Sequence, residues 1–203
     1  MNLKKFLFLS LLLLTMIITI SCKTKDQSET MRKQFEAYFK SHNAHEIEKT
    51  LSFLSDDFVL HFTEYDFKID KEGLVDVLGW DKGVNGNVSY EKLTTNADSI
   101  TGLFTEQNDF LKLVGIEELK ATITYKFDIS GKIVRQTYTP LPDQPSFQDK
   151  MQLSIEWAKI NRPQELNDIY PKNQIQFNEE TGKRWVILLK EYKTQSEQVK
   201  KVE

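Results

Sequence analysis

Apolar positions near the start of the folded region recur every three to four residues, which is the spacing of one face of an α-helix. The first stripe consists of Met31, Phe35, Tyr38 and Phe39, and the second of Ile47, Leu51 and Leu54. The polar sequence Ser41-His42-Asn43 separates them, and Ser55-Asp56-Asp57 is expected to end the second helix. Asp70 is a candidate N-cap for a third helix, whose apolar stripe is Leu74, Val75 and Leu78.

The pattern then changes to short runs with β-strand character. The predicted strands are 58–62, 87–94, 99–107, 110–114, 119–129 and 132–140. We interpret Ser130-Gly131 as a two-residue hairpin loop, which pairs Tyr125 with Gln136 and Phe127 with Val134. This register gives the hairpin one apolar, aromatic face and one polar face. We therefore expect helices to pack against one side of the sheet.

Residues 142–193 return to helical spacing. Ser146 and Asp149 resemble a capping box, and Asn178 precedes a final helix. The apolar residues of these helices are Phe147, Met151, Ile155, Ala158, Trp185, Leu188, Leu189 and Tyr192. We interpret this segment as a C-terminal helical extension that packs on the sheet-containing domain, and residues 194–203 as a polar tail.

Residues 1–21 have the character of a targeting signal. Two lysines precede an apolar run from Phe6 to Ile20, which as a helix reaches about 22 Å and is too short for a hydrocarbon core of about 30 Å. The sequence Ser21-Cys22 after this run resembles a bacterial lipoprotein signal. The resemblance implies cleavage before Cys22, acylation of its thiol, a tether at 22–29 and a membrane-anchored location in the bacterial cell envelope. The alternatives are a signal-anchor and a buried thiol.

Composition excludes several classes of protein. The chain has 203 residues, 27 Lys+Arg against 30 Asp+Glu and a net charge of −3, which argues against a strongly basic nucleic-acid binder. Its single cysteine excludes an intrachain disulfide. Phosphate-loop and dinucleotide motifs do not occur, so we predict no cofactor. His42 and His45 have no further ligands near them in sequence, so we predict no metal site.

The order of the elements resembles the nuclear-transport-factor-2-like (NTF2-like) superfamily and its SnoaL-like branch. The matching segments are Ser55-Asp56-Asp57-Phe58-Val59-Leu60-His61-Phe62, the helix from Asp70 to Trp80 and the hairpin at 127–134. The resemblance implies an α+β fold over residues 30–141. In that fold, N-terminal helices pack in the concave face of a curved antiparallel sheet, and the resulting cone encloses a pocket.

The resemblance also implies which catalytic residues to look for. Isomerases of this superfamily use a carboxylate base on the first strand, but Phe62 falls at or near that position here. Glu64 and Asp66 follow beyond the expected strand end, so an isomerase is not supported. SnoaL-like cyclases use a His or Asp inside the cone, which makes His61 a candidate. The alternative is a half-buried strand histidine that bonds to a neighbour.

A set of aromatic and polar residues predicts a ligand pocket in the cone, since tyrosines supply both apolar walls and hydroxyl groups. The candidate lining is His61, Trp80, Tyr90, Tyr125, Gln136 and Tyr138. The alternative is that these are core residues. Our hypothesis is a lipid-anchored envelope protein that binds a small apolar or amphipathic molecule. The alternatives are an enzyme of cyclase, isomerase or hydratase type and an interaction module that forms a homodimer through the outer sheet face.

Overall fold

The computed structural model describes residues 28–200. The predicted signal at 1–21 and the acylation site Cys22 lie outside the described residues. The elements in chain order are α1 (28–43), α2 (Ile47–Ser52), β1 (Leu54–Phe62), β2 (Phe67–Asp70), α3 (Lys71–Gly83), β3 (Asn87–Thr95), β4 (Ser99–Gln107), α4 (Asp109–Leu113), β5 (Leu119–Phe127), β6 (Ile133–Pro140), α5 (Phe147–Asn161), α6 (Pro163–Ile169) and α7 (Glu179–Lys200). A short 3-10 turn at Pro171–Asn173 follows α6.

Six strands form one curved sheet in the order β2-β1-β6-β5-β4-β3, with helices packed against its concave face. The predicted α+β class and cone-like arrangement are confirmed. The sheet is mixed rather than purely antiparallel, because β1 and β6 run parallel. Strand β2 has no counterpart among the predicted strands, since its four residues are too few to show a periodic pattern.

Two segments differ from their predicted structure. Residues 110–114 are not a strand, because Asn108 caps the short helix α4 by accepting a hydrogen bond from the Leu111 amide at 2.7 Å. Ser55-Asp56-Asp57 does not end a helix but lies within β1, whose pairing with β6 shifts register between Leu54 and Val59. Both aspartates of the segment are exposed.

The hairpin of β5 and β6 has the predicted pairing of Tyr125 with Gln136 and of Ile123 with Tyr138. The predicted two-residue turn is wrong. Phe127 pairs with Ile133 instead of Val134, and the connection between the strands spans residues 128–132. The Asp128 carboxylate accepts hydrogen bonds from the backbone amides of Ser130 and Lys132, at 2.8 and 2.9 Å. These bonds stabilise a longer turn than the Ser-Gly sequence alone suggests.

Contacts of α1 with the strands define two ends of the domain. Near the start of α1, Arg32 donates a hydrogen bond to Thr95 at the end of β3. We call this the turn end, and it includes the β3–β4 turn at 96–98 and the β5–β6 turn at 128–132. Near the end of α1, Asn43 bonds to Val88 at the start of β3. This is the opposite end, which includes the β1–β2 turn at 63–66.

Helix α1 begins earlier than the predicted domain boundary. Residues 28 and 29, assigned to the tether in the sequence analysis, are already helical. Glu29 forms an ion pair of 2.8 Å with Lys33, one helical turn later. This spacing is favourable on a helix surface, so the polar segment continues α1.

Two apolar clusters form the core. The first lies between α1 and the concave face of the sheet and includes Phe35, Phe104 and Tyr125. The second holds the C-terminal extension and includes Trp80, Phe110 and Trp185. The predicted caps are present, since Asp70, Ser146 and Asn178 each accept a hydrogen bond from an amide three residues later.

Helix α7 extends into the predicted polar tail. The Trp157 indole donates a hydrogen bond to Gln195 at 3.0 Å, and its ring packs against Tyr192. These contacts support helical structure beyond residue 193. Between residues 28 and 200, the structure contains no helix of the length and apolar character needed to span a bilayer.

Candidate functional site

Tyr38 brings a polar group into the aromatic interior of the cone. It occupies the face of α1 that packs on the sheet and is only 3% exposed. Its hydroxyl donates to Oε1 of Gln136 over 3.4 Å, and its ring lies 5.6 Å from that of Tyr125. Burial, followed by the nearby charge of Asp81, raises the pKa of Tyr38 well above its usual value. The phenol is therefore a neutral hydrogen-bond donor at physiological pH.

The side chains of Gln136 and Tyr138 lie at a partly open rim of this interior. Both are half-buried, and the Tyr138 ring is 5.4 Å from that of Phe62. Burial, with smaller contributions from the charges of Glu106 and Glu64, raises the pKa of Tyr138 to about 12. The first apolar cluster also has partly buried members in α2, α3, β1 and β2, namely Ile47, Leu51, Phe62, Ile69 and Val77. The rim therefore combines hydroxyl, amide and apolar groups.

An acid–base group lies one turn further along α1. Nε2 of His42 is 3.3 Å from Oδ2 of Asp81, and both side chains are mostly buried. Burial lowers the pKa of His42, but the hydrogen bond and charge of Asp81, with smaller contributions from Asn43 and Glu106, together outweigh burial and raise the pKa overall. Within the described part of the chain, the buried Nδ1 of His42 has no hydrogen-bond partner.

Glu106 completes this group from the sheet. It follows the inward-facing positions Ile100, Gly102 and Phe104 along β4, and its Oε1 accepts a hydrogen bond of 2.7 Å from Asn108. Burial and the charge of Asp81 raise the pKa of Glu106 to about 7, although Asn108 and His42 act in the other direction. A carboxyl group with this pKa exchanges protons near neutral pH, as a general acid or base requires.

Four of the six predicted lining residues share the interior. Tyr125, Gln136 and Tyr138 lie on the inner face of the hairpin, as expected from its register. Tyr90 lies at the β3 edge, is 36% exposed and packs its ring 4.7 Å from Phe39. Tyr125 is 3% exposed and packs in the core against the rings of Phe35, Tyr38 and Phe104.

The other two predicted lining residues lie elsewhere. His61 alternates with the inward-facing Leu60 and Phe62, so it points to the outer face, where Nε2 lies 2.8 Å from Asp66. This geometry fits a strand histidine bonded to a neighbour. Trp80 belongs to the second cluster, with its ring 5.4 Å from Phe110. The end of α3 therefore directs Trp80 toward the extension rather than into the cone.

Four residues of this arrangement were missing from the predicted site, and the sequence contained a signal for three of them. Tyr38 and His42 are four residues apart on one helix and therefore share a face. Glu106 continues the even-numbered inward positions of β4. Asp81 had no comparable signal, because its role depends on how α3 packs against α1.

Across residues 28–200, the structure contains no group of three or more His, Cys, Asp and Glu side chains placed to hold a metal. The extension has an open depression of about 380 Å³, lined by Lys159, Pro163, Leu166, Asn167, Tyr170, Lys172 and Asn173. Most of these side chains are exposed, so this depression lacks the enclosure of a small-molecule site.

No protein-family model and no curated protein matches the chain. Solved structures similar to it include an NTF2-like protein of unknown function from Cytophaga hutchinsonii, with 10% identity, a TM-score of 0.45 and coverage of 55% of this chain and 90% of that chain. A protein of cystatin-like fold from Methylobium petroleophilum has 15% identity, a TM-score of 0.49 and coverage of 59% and 81%, respectively. A computationally designed 17-OHP binder has 15% identity, a TM-score of 0.43 and coverage of 56% and 92%.

Proposed function

We propose that this protein binds a small amphipathic organic molecule at the rim formed by Gln136 and Tyr138, with the polar group of the ligand reaching the Tyr38 hydroxyl behind Gln136. The supporting observation is the 3.4 Å contact between the Tyr38 hydroxyl and Oε1 of Gln136 within an aromatic interior. This distance is long for an O–H···O hydrogen bond, whose usual length is about 2.7–2.8 Å. The Tyr38 hydroxyl also has acceptor lone pairs and the Gln136 amide has two N–H donors, so both groups retain hydrogen-bonding capacity that a ligand can use.

The chemistry of the rim specifies the kind of ligand. Tyr38 and Tyr138 donate hydrogen bonds, and the Gln136 amide both donates and accepts. A carbonyl or hydroxyl group fits these partners, while an aliphatic or aromatic body fits Phe62 and Leu51. Small-molecule sites commonly combine such apolar walls with a few convergent polar groups.

Native mass spectrometry after mild purification tests this proposal. We expect a stoichiometric small molecule in the wild-type protein and much less of it in Tyr38→Phe. Removal of one hydrogen bond should weaken binding by roughly 2- to 12-fold, corresponding to about 0.5–1.5 kcal/mol. Tyr90→Phe is the matched control, because this tyrosine lies at the edge of the interior. Equal ligand occupancy in both variants and the wild type would contradict the assignment of the rim.

An acid–base enzyme is the second candidate function. The observation that favours it is Glu106, whose pKa of about 7 and partly buried position beside the His42–Asp81 pair suit proton transfer. In this case, Glu106→Gln should abolish turnover of the co-purified molecule while binding persists. Recovery of that molecule unchanged after incubation with wild-type protein would favour the binding function instead.

We further propose that acylation of Cys22 attaches the domain to a membrane of the bacterial cell envelope. The apolar run before Ser21-Cys22 and its basic start support this location. Stable anchoring requires more than one acyl chain, since one chain gives only marginal membrane affinity. Cys22→Ala should therefore lose labelled fatty acid and leave the membrane fraction. Absence of label from the wild-type protein would refute the anchor.

A further inference from the structure

We infer that the turn end of the domain faces the lipid bilayer, with Ile129 inserted among the lipids. This inference rests on the proposed acylation of Cys22. Five residues lie between that cysteine and residue 28, where the described part of α1 begins, and these six Cα–Cα steps span at most about 22 Å. The tether therefore restricts which surfaces can reach the membrane.

The start of α1 lies beside the β5–β6 turn. A methyl group built on Gly131 would lie 3.5 Å from Cγ of Gln34 and 3.9 Å from Cγ2 of Thr30. Arg32 bonds to Thr95 on the adjacent β3–β4 hairpin at 3.2 Å. Both turns are therefore next to the point where the tether enters the domain.

Ile129 at this end is 99% exposed. Its turn is well defined, because Asp128 accepts hydrogen bonds from the Ser130 hydroxyl and from the amides of Ser130 and Lys132. These bonds outweigh burial and lower the pKa of Asp128, which keeps the carboxylate ionised. A large aliphatic side chain held fully in water by a stable turn is suited to burial in another apolar phase.

The ionised carboxylate of Asp128 accepts its hydrogen bonds within its own turn, and the other charges around Ile129 are compatible with a lipid surface. Lys132 follows it in the same turn, and Arg32 is exposed on the neighbouring helix. Asp98 pairs with Lys126 at 3.2 Å, which neutralises one nearby carboxylate. Lys23 and Lys25 together with Asp26 give residues 23–27 a net charge of +1. Such cations interact favourably with anionic headgroups at short range.

A second exposed apolar surface is the alternative membrane contact. Tyr65 and Phe67 are 76% and 57% exposed, but they belong to the β1–β2 hairpin at the opposite end. Strand β1 has nine residues, which separate the two ends by about 26 Å at about 3.3 Å per residue. The tether reaches at most about 22 Å, so the anchor favours Ile129 over this hairpin.

Fluorescence quenching by spin-labelled lipid tests the orientation. Ile129→Cys and the matched control Tyr65→Cys are expressed in the full-length acylated chain and labelled with a polarity-sensitive dye. Each protein is placed in vesicles of phosphatidylethanolamine and phosphatidylglycerol with and without doxyl lipid. We expect at least twofold stronger quenching and a blue-shifted emission at position 129 compared with position 65.

Vesicle flotation of the wild-type chain separates the two possible failures. A chain that remains soluble refutes the acylation and, with it, this inference. A chain that floats while the probe at position 129 is unquenched, or while position 65 is quenched more strongly, overturns the orientation alone. As a second measurement without a probe, Ile129→Ser should leave flotation intact but reduce protection of residues 128–132 from hydrogen exchange on vesicles. Unchanged protection would also overturn the inference.

Discussion

Nε2 of His42 lies 3.3 Å from Oδ2 of Asp81, a contact that joins the last turn of α1 to the last turn of α3. The C-terminal ends of α1 and α3 meet at this contact, and each carries the negative end of a helix dipole. Both helix ends therefore stabilise the positively charged form of the His42 imidazole. The same pair faces Glu106 across the end of the cone. The interior polar groups of α1 are thus held in position by a side chain of α3.

This arrangement predicts how stability depends on pH. The folded chain holds protons more tightly than the unfolded chain at both His42 and Glu106. The contribution of His42 is complete below its unfolded pKa of 6.5 and is lost as the pH rises through the higher folded pKa. The contribution of Glu106 declines between pH 4.5 and about 7, because only the unfolded chain ionises readily there.

Glu106→Gln should therefore reduce the loss of stability between about pH 5 and about pH 8. Urea unfolding across this range measures the effect, and the variant should be more stable than wild type at the upper limit by on the order of 1 kcal/mol. Both proteins contain the other carboxylates, such as Asp128, so their contributions cancel when the free energies of unfolding of wild type and variant are subtracted. Glu117→Gln, which changes an exposed residue, is the control. Parallel pH profiles for wild type and Glu106→Gln would show that Glu106 has an ordinary pKa.

Gly83→Ala should loosen the C-terminal extension. A methyl group at this position would overlap the backbone carbonyl of Glu179 at the start of α7. A backbone carbonyl, unlike a flexible side chain, cannot relieve the overlap by changing rotamer, so α3 and α7 must move apart. We therefore expect a loss of about 1–3 kcal/mol in the free energy of unfolding. Asp76→Ala, at an exposed position of the same helix, should change stability by less than about 0.5 kcal/mol. Equal melting temperatures for the two variants would contradict the close packing of α3 against α7.

Trp185→Ala should destabilise the protein by about 3–5 kcal/mol. This side chain is fully buried and packs edge-to-face against Phe110 and Tyr170. Ile187→Ala on the same helix changes a side chain that is 60% exposed and should cost much less. Chemical denaturation of both variants measures the difference. Similar losses would mean that the extension does not share the core of the domain.

Most of the fold followed from local signals in the sequence. Alternation of apolar and polar residues gave the pairing of Tyr125 with Gln136, and side-chain caps marked the starts of α3 and α5. The turn at 128–132 differed because Asp128 bonds to backbone amides, an interaction that hydrophobic periodicity does not detect. Strand β2 was missed because its pairing with β1, rather than its own pattern, makes it a strand.

The candidate site was less predictable than the fold. In the structure, alternation along β1 places Phe62 inward and His61 outward. The sequence showed that the two side chains lie on opposite faces, but not which of them faces the interior. The position of Trp80 could not be predicted, because it depends on which part of the chain packs against the end of α3. Asp81 acts through contact with His42 on another helix, and such partners emerge only from tertiary packing.

The decisive measurement for the ligand site is the occupancy of Tyr38→Phe and Tyr90→Phe, compared by native mass spectrometry with the wild-type protein. We expect a stoichiometric small molecule in wild type and Tyr90→Phe and a marked reduction in Tyr38→Phe, with all three proteins equally folded by circular dichroism. A wild-type protein that carries no small molecule and binds none from an extract of its own membrane would contradict the proposal. Occupancy unaffected by Tyr38→Phe would contradict the placement of the site.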